Sequence, residues 1–193
     1  MFDAVARTDT DPAALIRRGL DVVGRTEGTA LTAFTDSCPG LQHLLLEAGV
    51  HGLPVLDWFH VGMRLQHLTQ VAEGLSSDGP ERAAAKAVIV EAVERLHWRL
   101  WNGKAKDAKL SIDRIRAVMR HFRSERGDRG SVAPSRKLWT ALRTPDGYLV
   151  GQSDRLVDYD ERHRVGLQVG TALIEDTANF LVNRRMSKSQ KMR

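Results

Sequence analysis

Residues 29–57, TALTAFTDSCPGLQHLLLEAGVHGLPVLD, hold the pattern that decides the fold class. Thr29 to Thr35 is rich in β-branched and aromatic residues and predicts a strand that stops at Asp36. Pro39 then starts a short helix carrying Leu41, Leu44, Leu45 and Ala48, which Gly49 and Gly52 close. Val55 and Leu56, after Pro54, predict a second strand that ends at Asp57. Strand, helix and strand in so short a span make a βαβ unit, whose strands run parallel with a right-handed crossover. Neighbouring strands lie about 4.8 Å apart, so Asp36 and Asp57 are expected close together at the carboxyl edge, where open α/β sheets place ligands. Two converging carboxylates either raise one pKa or attract a divalent cation. Oxygen-only ligation favours Mg²⁺ or Mn²⁺, and no Cys/His spacing suggests zinc. An Asp at a strand end is more commonly a turn or cap residue, and that reading stands beside the first. His60, three residues after Asp57, shares its helical face and is placed either to hydrogen-bond the carboxylate or to serve as a structural histidine.

Outward from this unit the pattern is helical. Asp11 and Pro12 suit the start of a helix over 11–25, with Leu15, Ile16, Leu20 and Val23 on one side. After Asp57, the spacing Trp58, Val61, Leu65, Leu68, Ala72, Leu75 alternates three and four and predicts a long amphipathic helix. Beyond the break at 76–80, helices are expected over 81–101, 104–124, 135–143, 148–163 and 171–188, with a polar, charged loop from Arg123 to Ser135. The expected fold is therefore mainly α with a small parallel β portion. Trp58, Trp98, Trp101 and Trp139 read as core anchors before base-stacking platforms.

The 193 residues are 42% apolar and 27% charged, a globular composition that excludes collagen, disulfide scaffolds and disordered tails. The net charge is +5, and the last fourteen residues, which carry Arg184, Arg185, Lys188, Lys191 and Arg193 without an acid, account for all of it. The rest of the chain is balanced, so the excess forms one basic patch, read either as a nucleic-acid contact or as a solvated chain end. A single cysteine, Cys38, forms no internal disulfide and is expected to pack as a small buried hydrophobe. With no signal pattern and no apolar run near membrane-spanning length, a soluble, cytoplasmic protein with no membrane partner is expected.

The segment Asp57-Trp58-Phe59-His60-Val61-Gly62-Met63-Arg64-Leu65 resembles the Asp-Trp-Phe-His segment of bacterial insertion-sequence transposases with an RNase-H-like, three-carboxylate core. Gly166 to Arg193 is similar to the helix of those enzymes that bears the last catalytic Glu, here Glu175, and Leu100-Trp101-Asn102-Gly103-Lys104 is similar to the Trp-x-Gly turn of their helical insertion. The similarity runs in the family's order from about residue 29. It implies a partial RNase-H-like core interrupted by a helical insertion, divided as a helix of the core over 1–28, the βαβ part and following helix over 29–76, the insertion over 77–165, and a closing catalytic helix with a basic end over 166–193. It further implies Asp36 and Glu175 as catalytic metal ligands, with Asp57 and His60 supporting, or with Asp36 and Asp57 both ligating. Ser37 stands where the family has Gly, a departure that bears on the turn beneath Asp36.

The implied activity is DNA transposition, by phosphodiester cleavage and strand transfer at two Mg²⁺ or Mn²⁺ ions about 3.5–4 Å apart. Arg184, Arg185, Lys188 and Lys191 are the implied phosphate contacts to transposon ends and target DNA. The implied setting is the bacterial cytoplasm, associated with the nucleoid. No segment before residue 29 matches the family's first catalytic Asp, and the family's pattern continues past Arg193. A chain truncated at both ends is therefore expected, either an incomplete catalytic fragment or an inactive remnant that binds DNA through its basic C-terminal helix. An exposed strand edge in such a fragment is expected to favour self-association, as in a homodimer.

Overall fold

The computed structural model describes residues 11–36, 38–123 and 132–172. It is mostly helical, with one small parallel two-stranded sheet, and it divides into two compact units, Met1–Val55 and Leu56–Arg193.

In the first unit, α1 (Pro12–Val22) starts as its sequence dictates. Asp11 is the N-cap and its carboxylate accepts from the Ala13 N–H at 3.0 Å. The strand expected over 29–35 shrinks to β1 (Phe34–Thr35), which pairs with β2 (Val55–Leu56). Two residues on the partner side set this limit. Pro54 has no N–H to donate to a ladder, and Asp57 turns the chain into a helix at once. The Val55 N–H donates to the Ala33 carbonyl at 2.9 Å. Between the strands, α2 (Pro39–Glu47) ends on carbonyls that accept from cations: Arg17 reaches Glu47 O, and Arg25 reaches Ala48 O and Gly49 O. Cys38 is exposed, contrary to expectation. It occupies the N-cap position just outside α2, where its thiol caps nothing and faces no core.

The second unit holds the main core. Its elements are α3 (Trp58–Glu73), α4 (Pro80–Trp101), α5 (Ala105–Val118) with a 3₁₀ turn over Met119–Phe122, α6 (Pro134–Gly151) and α7 (Tyr159–Arg164). The three-four alternation on α3 buries Val61, Leu65, Leu68 and Ala72 in one core cluster with Ile89, Leu96 and Leu100 of α4, Ile112 and Ile115 of α5, and Leu138 and Leu142 of α6.

The two helices expected over 135–143 and 148–163 are instead one helix to Gly151, a 3₁₀ turn at Ser153–Arg155, and the short α7. Pro145 sits inside α6 and removes one helical hydrogen bond. The helix continues because Leu138, Leu142, Pro145 and Tyr148 form one buried stripe across that point. Trp98 and Trp139 also depart from expectation, being 55% and 51% exposed. Each is set off by helical geometry from a buried leucine on its own helix, Trp98 from Leu96 and Leu100 and Trp139 from Leu138.

Two joints tie the helices. Gly103 turns α4 into α5 with φ +65°, and a Cβ there would lie 3.0 Å from the Asp158 nitrogen. Here Asn102 and Asp158 form an isolated antiparallel bridge. On the other side, Asp146 of α6 accepts from Arg116 at 2.8 Å and pairs with Lys109 at 3.3 Å, both on α5. Burial by itself would raise the Asp146 carboxyl, but hydrogen bonds from Arg116 and Lys109 outweigh it and hold the group below its ordinary 3.8.

Two outcomes are expected. Gly103→Ala strains the left-handed turn and crowds the Asp158 backbone, so thermal melting followed by circular dichroism shows a loss on the order of 1–3 kcal/mol. Asp146 has a lower pKa folded than unfolded, so its ionised form stabilises the fold above about pH 4 and the benefit fades as pH falls through the folded value. The melting-temperature gap between wild type and Asp146→Asn is therefore widest well above the ordinary carboxylate value of 3.8 and narrows as pH falls below it.

Candidate functional site

Asp57 is the centre of the candidate site. Its backbone is extended at φ −67° and ψ 115°, the geometry of an N-cap, and its carboxylate accepts from the Phe59 N–H at 2.9 Å. The side chain is only 3% exposed, so its charge needs partners. His60, one turn into α3, has Nδ1 3.2 Å from Oδ2, and since a carboxylate can only accept, Nδ1 carries the donated proton. Of the two readings that the three-residue spacing left open, this is the hydrogen-bonded one.

The remaining partners come from 114 residues away in the chain. The Thr171 N–H donates to Asp57 Oδ1 at 3.1 Å, and the Thr171 hydroxyl donates to Oδ2. The Trp58 N–H donates to the Val169 carbonyl at 3.1 Å. The first N–H groups of α3, which have no partner within the helix, are thus satisfied in part by the segment over 169–171. Gly170 makes the close approach possible. A Cβ at this position would overlap Asp57 Oδ1 and lie 3.1 Å from the Phe59 nitrogen.

Aromatic rings enclose the start of α3. The Trp58 ring lies 4.9 Å from Trp101 and 4.8 Å from Tyr159, centroid to centroid, and Trp101 Nε1 donates to Asp160 at 3.1 Å. Tyr159 is fully buried and its hydroxyl donates to the Leu56 carbonyl at 2.8 Å. Burial, followed by the nearby Asp57 charge, pushes its phenol well above the ordinary 10.0 and keeps it a donor.

Of the residues singled out by sequence, Asp57 and His60 are brought together. Asp36 is exposed in the first unit, where its carboxylate accepts from the Cys38 N–H at 3.2 Å as in an Asx turn. Glu175, Arg184, Arg185, Lys188 and Lys191 lie outside the described residues. Thr171, Gly170 and Tyr159 were not anticipated. The Gly170-Thr171 pair at the start of the last expected helix was the available signal, and nothing in its spacing identifies Asp57 as its partner.

No protein-family model matches the chain, and no curated protein or solved structure matches it. Among the described residues, no three His, Cys, Asp or Glu side chains form a group able to hold a metal ion. The Asp57 carboxylate already accepts from Phe59, His60 and Thr171, so an ion there would compete with these donors. Chemically, the buried carboxylate acts as a clamp between the start of α3 and the chain that leads toward Glu175.

Asp57→Asn keeps the shape but offers an amide where Thr171 and His60 need acceptors. The expected loss is about 2 kcal/mol, more than an isolated N-cap contributes on average. Gly170→Ala is expected to expel the 169–171 segment while leaving the helices intact. Hydrogen exchange should then show faster exchange at Trp58 and Thr171 with far-ultraviolet circular dichroism unchanged, and unaltered protection at both amides would contradict the clamp.

Proposed function

We propose that the chain is part of a DNA transposase of the insertion-sequence, RNase-H-like class, acting through metal-dependent phosphodiester cleavage and strand transfer. The observation that carries this reading is the Asp57–Thr171 joint. The two segments on which the resemblance rests, Asp57 to Leu65 and Gly166 onward, lie more than a hundred residues apart. In a common active-site core interrupted by a helical insertion they have to meet, and their meeting at a buried carboxylate supports the reading. Trp101 and Gly103, which carry the third point of resemblance, lie on the return path, with Trp101 against Trp58 and Gly103 against Asp158.

In this reading Asp36 and Glu175 are the ligands of Mg²⁺ or Mn²⁺. Asp57 and His60 support the site by holding the strand-end helix and the 169–171 segment in register. The described residues do not make an ion site by themselves, so the ligand set depends on Glu175. Arg184, Arg185, Lys188 and Lys191 follow Glu175 in the chain and are suited to DNA phosphates, contacts that carry no sequence information.

The purified full chain is expected to bind duplex DNA with a steep salt dependence, and replacing the four cations with Ala should lower the slope of log K against log salt by about 3–4. Calorimetry with Mn²⁺ should show binding that Asp36→Ala and Glu175→Ala each abolish. Salt-insensitive DNA binding, or Mn²⁺ binding indifferent to both carboxylates, would overturn the reading.

A further inference from the structure

We infer that the second unit carries a binding site for single-stranded nucleic acid, formed by the Arg-rich groove between the end of α5 and the start of α6. None of its residues belongs to the basic chain end, and the inference does not depend on the transposase reading. The groove has a volume of about 460 Å³, within the range of nucleotide-sized ligand sites. Arg116, Arg120, Arg123 and Arg136 line it together with Trp139 over an apolar floor that includes Phe122, and among the described residues that line it none is acidic.

The four arginines are not equivalent. Arg116 is committed to Asp146 at 2.8 Å, and its guanidinium lies over the Trp139 ring at 5.6 Å from the centroid. Its buried Nε has no acceptor among the described residues. Arg116 therefore props the indole by a cation–π contact. No ion pair with an acid among the described residues engages Arg120, Arg123 or Arg136, which leaves three guanidiniums available for phosphate. Arg136 lies in the first turn of α6, whose N-cap residue, Ala133, supplies no capping side chain, so the positive end of an 18-residue helix adds to the same field.

Trp139 is 51% exposed, beside three arginines that no acid among the described residues engages. An acidic peptide would satisfy the cations and leave the indole unused. Duplex DNA would meet the cations with its bases already stacked in pairs. An unpaired strand uses both features, with a base stacked on Trp139 and the flanking phosphates on Arg120, Arg123 and Arg136.

The test uses the full chain, a short fluorescein-labelled oligo(dT) strand, the matching duplex, and polyglutamate. Fluorescence anisotropy should show that Trp139→Ala weakens oligo(dT) binding on the order of tenfold, whereas Trp139→Phe restores much of it. Replacing Arg120, Arg123 and Arg136 with Gln should lower the single-strand salt slope by about 2. Both effects should persist when Arg184, Arg185, Lys188 and Lys191 are Ala, which separates this site from the chain end. Circular dichroism checks that each variant is folded, and these exposed positions should leave the spectrum unchanged. Affinity for oligo(dT) that is indifferent to Trp139, equal dependence of duplex binding on Trp139, or polyglutamate binding that competes at equal charge would each overturn the site.

Discussion

A buried carboxylate must be paired, and in this protein that requirement falls on Asp57. Water is excluded from it, so its charge is tolerated only while backbone and side-chain donors surround it. Phe59 and His60 supply two from its own helix, and Thr171 supplies two more from the far end of the described chain. One residue therefore starts α3, orients His60 and ties down the 169–171 segment. Removing any donor leaves a buried acceptor short of partners, and this makes the arrangement specific as well as stabilising.

The packing around that charge follows from it. Trp58 is the first helical residue after the cap, so its ring lies beside the clamp, where Trp101 and Tyr159 close over it. Those two rings come from the end of α4 and the start of α7, so the turn at Gly103 and the bridge to Asp158 bring the helices between them back to their starting point. A helical excursion that leaves and returns to one buried carboxylate is the arrangement on which the proposed function rests. The Arg-lined groove lies elsewhere in the same unit, on the α5 and α6 helices, whose buried faces join the common core while Arg120, Arg123, Arg136 and Trp139 remain accessible.

Much of the fold was legible before any coordinates. The three-four spacing on α3 survives intact, and Asp11 caps as its position promised, because helical period and capping are local properties of neighbouring residues. The strand over 29–35 was over-read. Its composition favours extended chain, but a ladder needs donors on the other side, and Pro54 and the helix at Asp57 leave room for two residues. The break expected between 143 and 148 is absent, since a proline that breaks an isolated helix is tolerated where a buried stripe runs past it. Trp98 and Trp139 were assigned inward for their size, yet helical geometry sets them away from the leucines that define the buried faces.

The Asp57 site divides along the same line. The sequence by itself determined that Asp57 and His60 share a helical face, because three residues on a helix bring two side chains to one side, and the structure decided that they bond. The sequence also placed the net positive charge at the chain end and identified Trp101-Asn102-Gly103 as a turn. Only the tertiary structure decided that Thr171 and Gly170 complete the Asp57 shell, that Tyr159 seals it, and that four arginines and an indole line one groove. These groupings join residues tens of positions or more apart, and no local periodicity carries that information. They arise when burial of the helical stripes sets the path of the chain, and a charged or polar group left inside must then bond to whatever that path brings beside it.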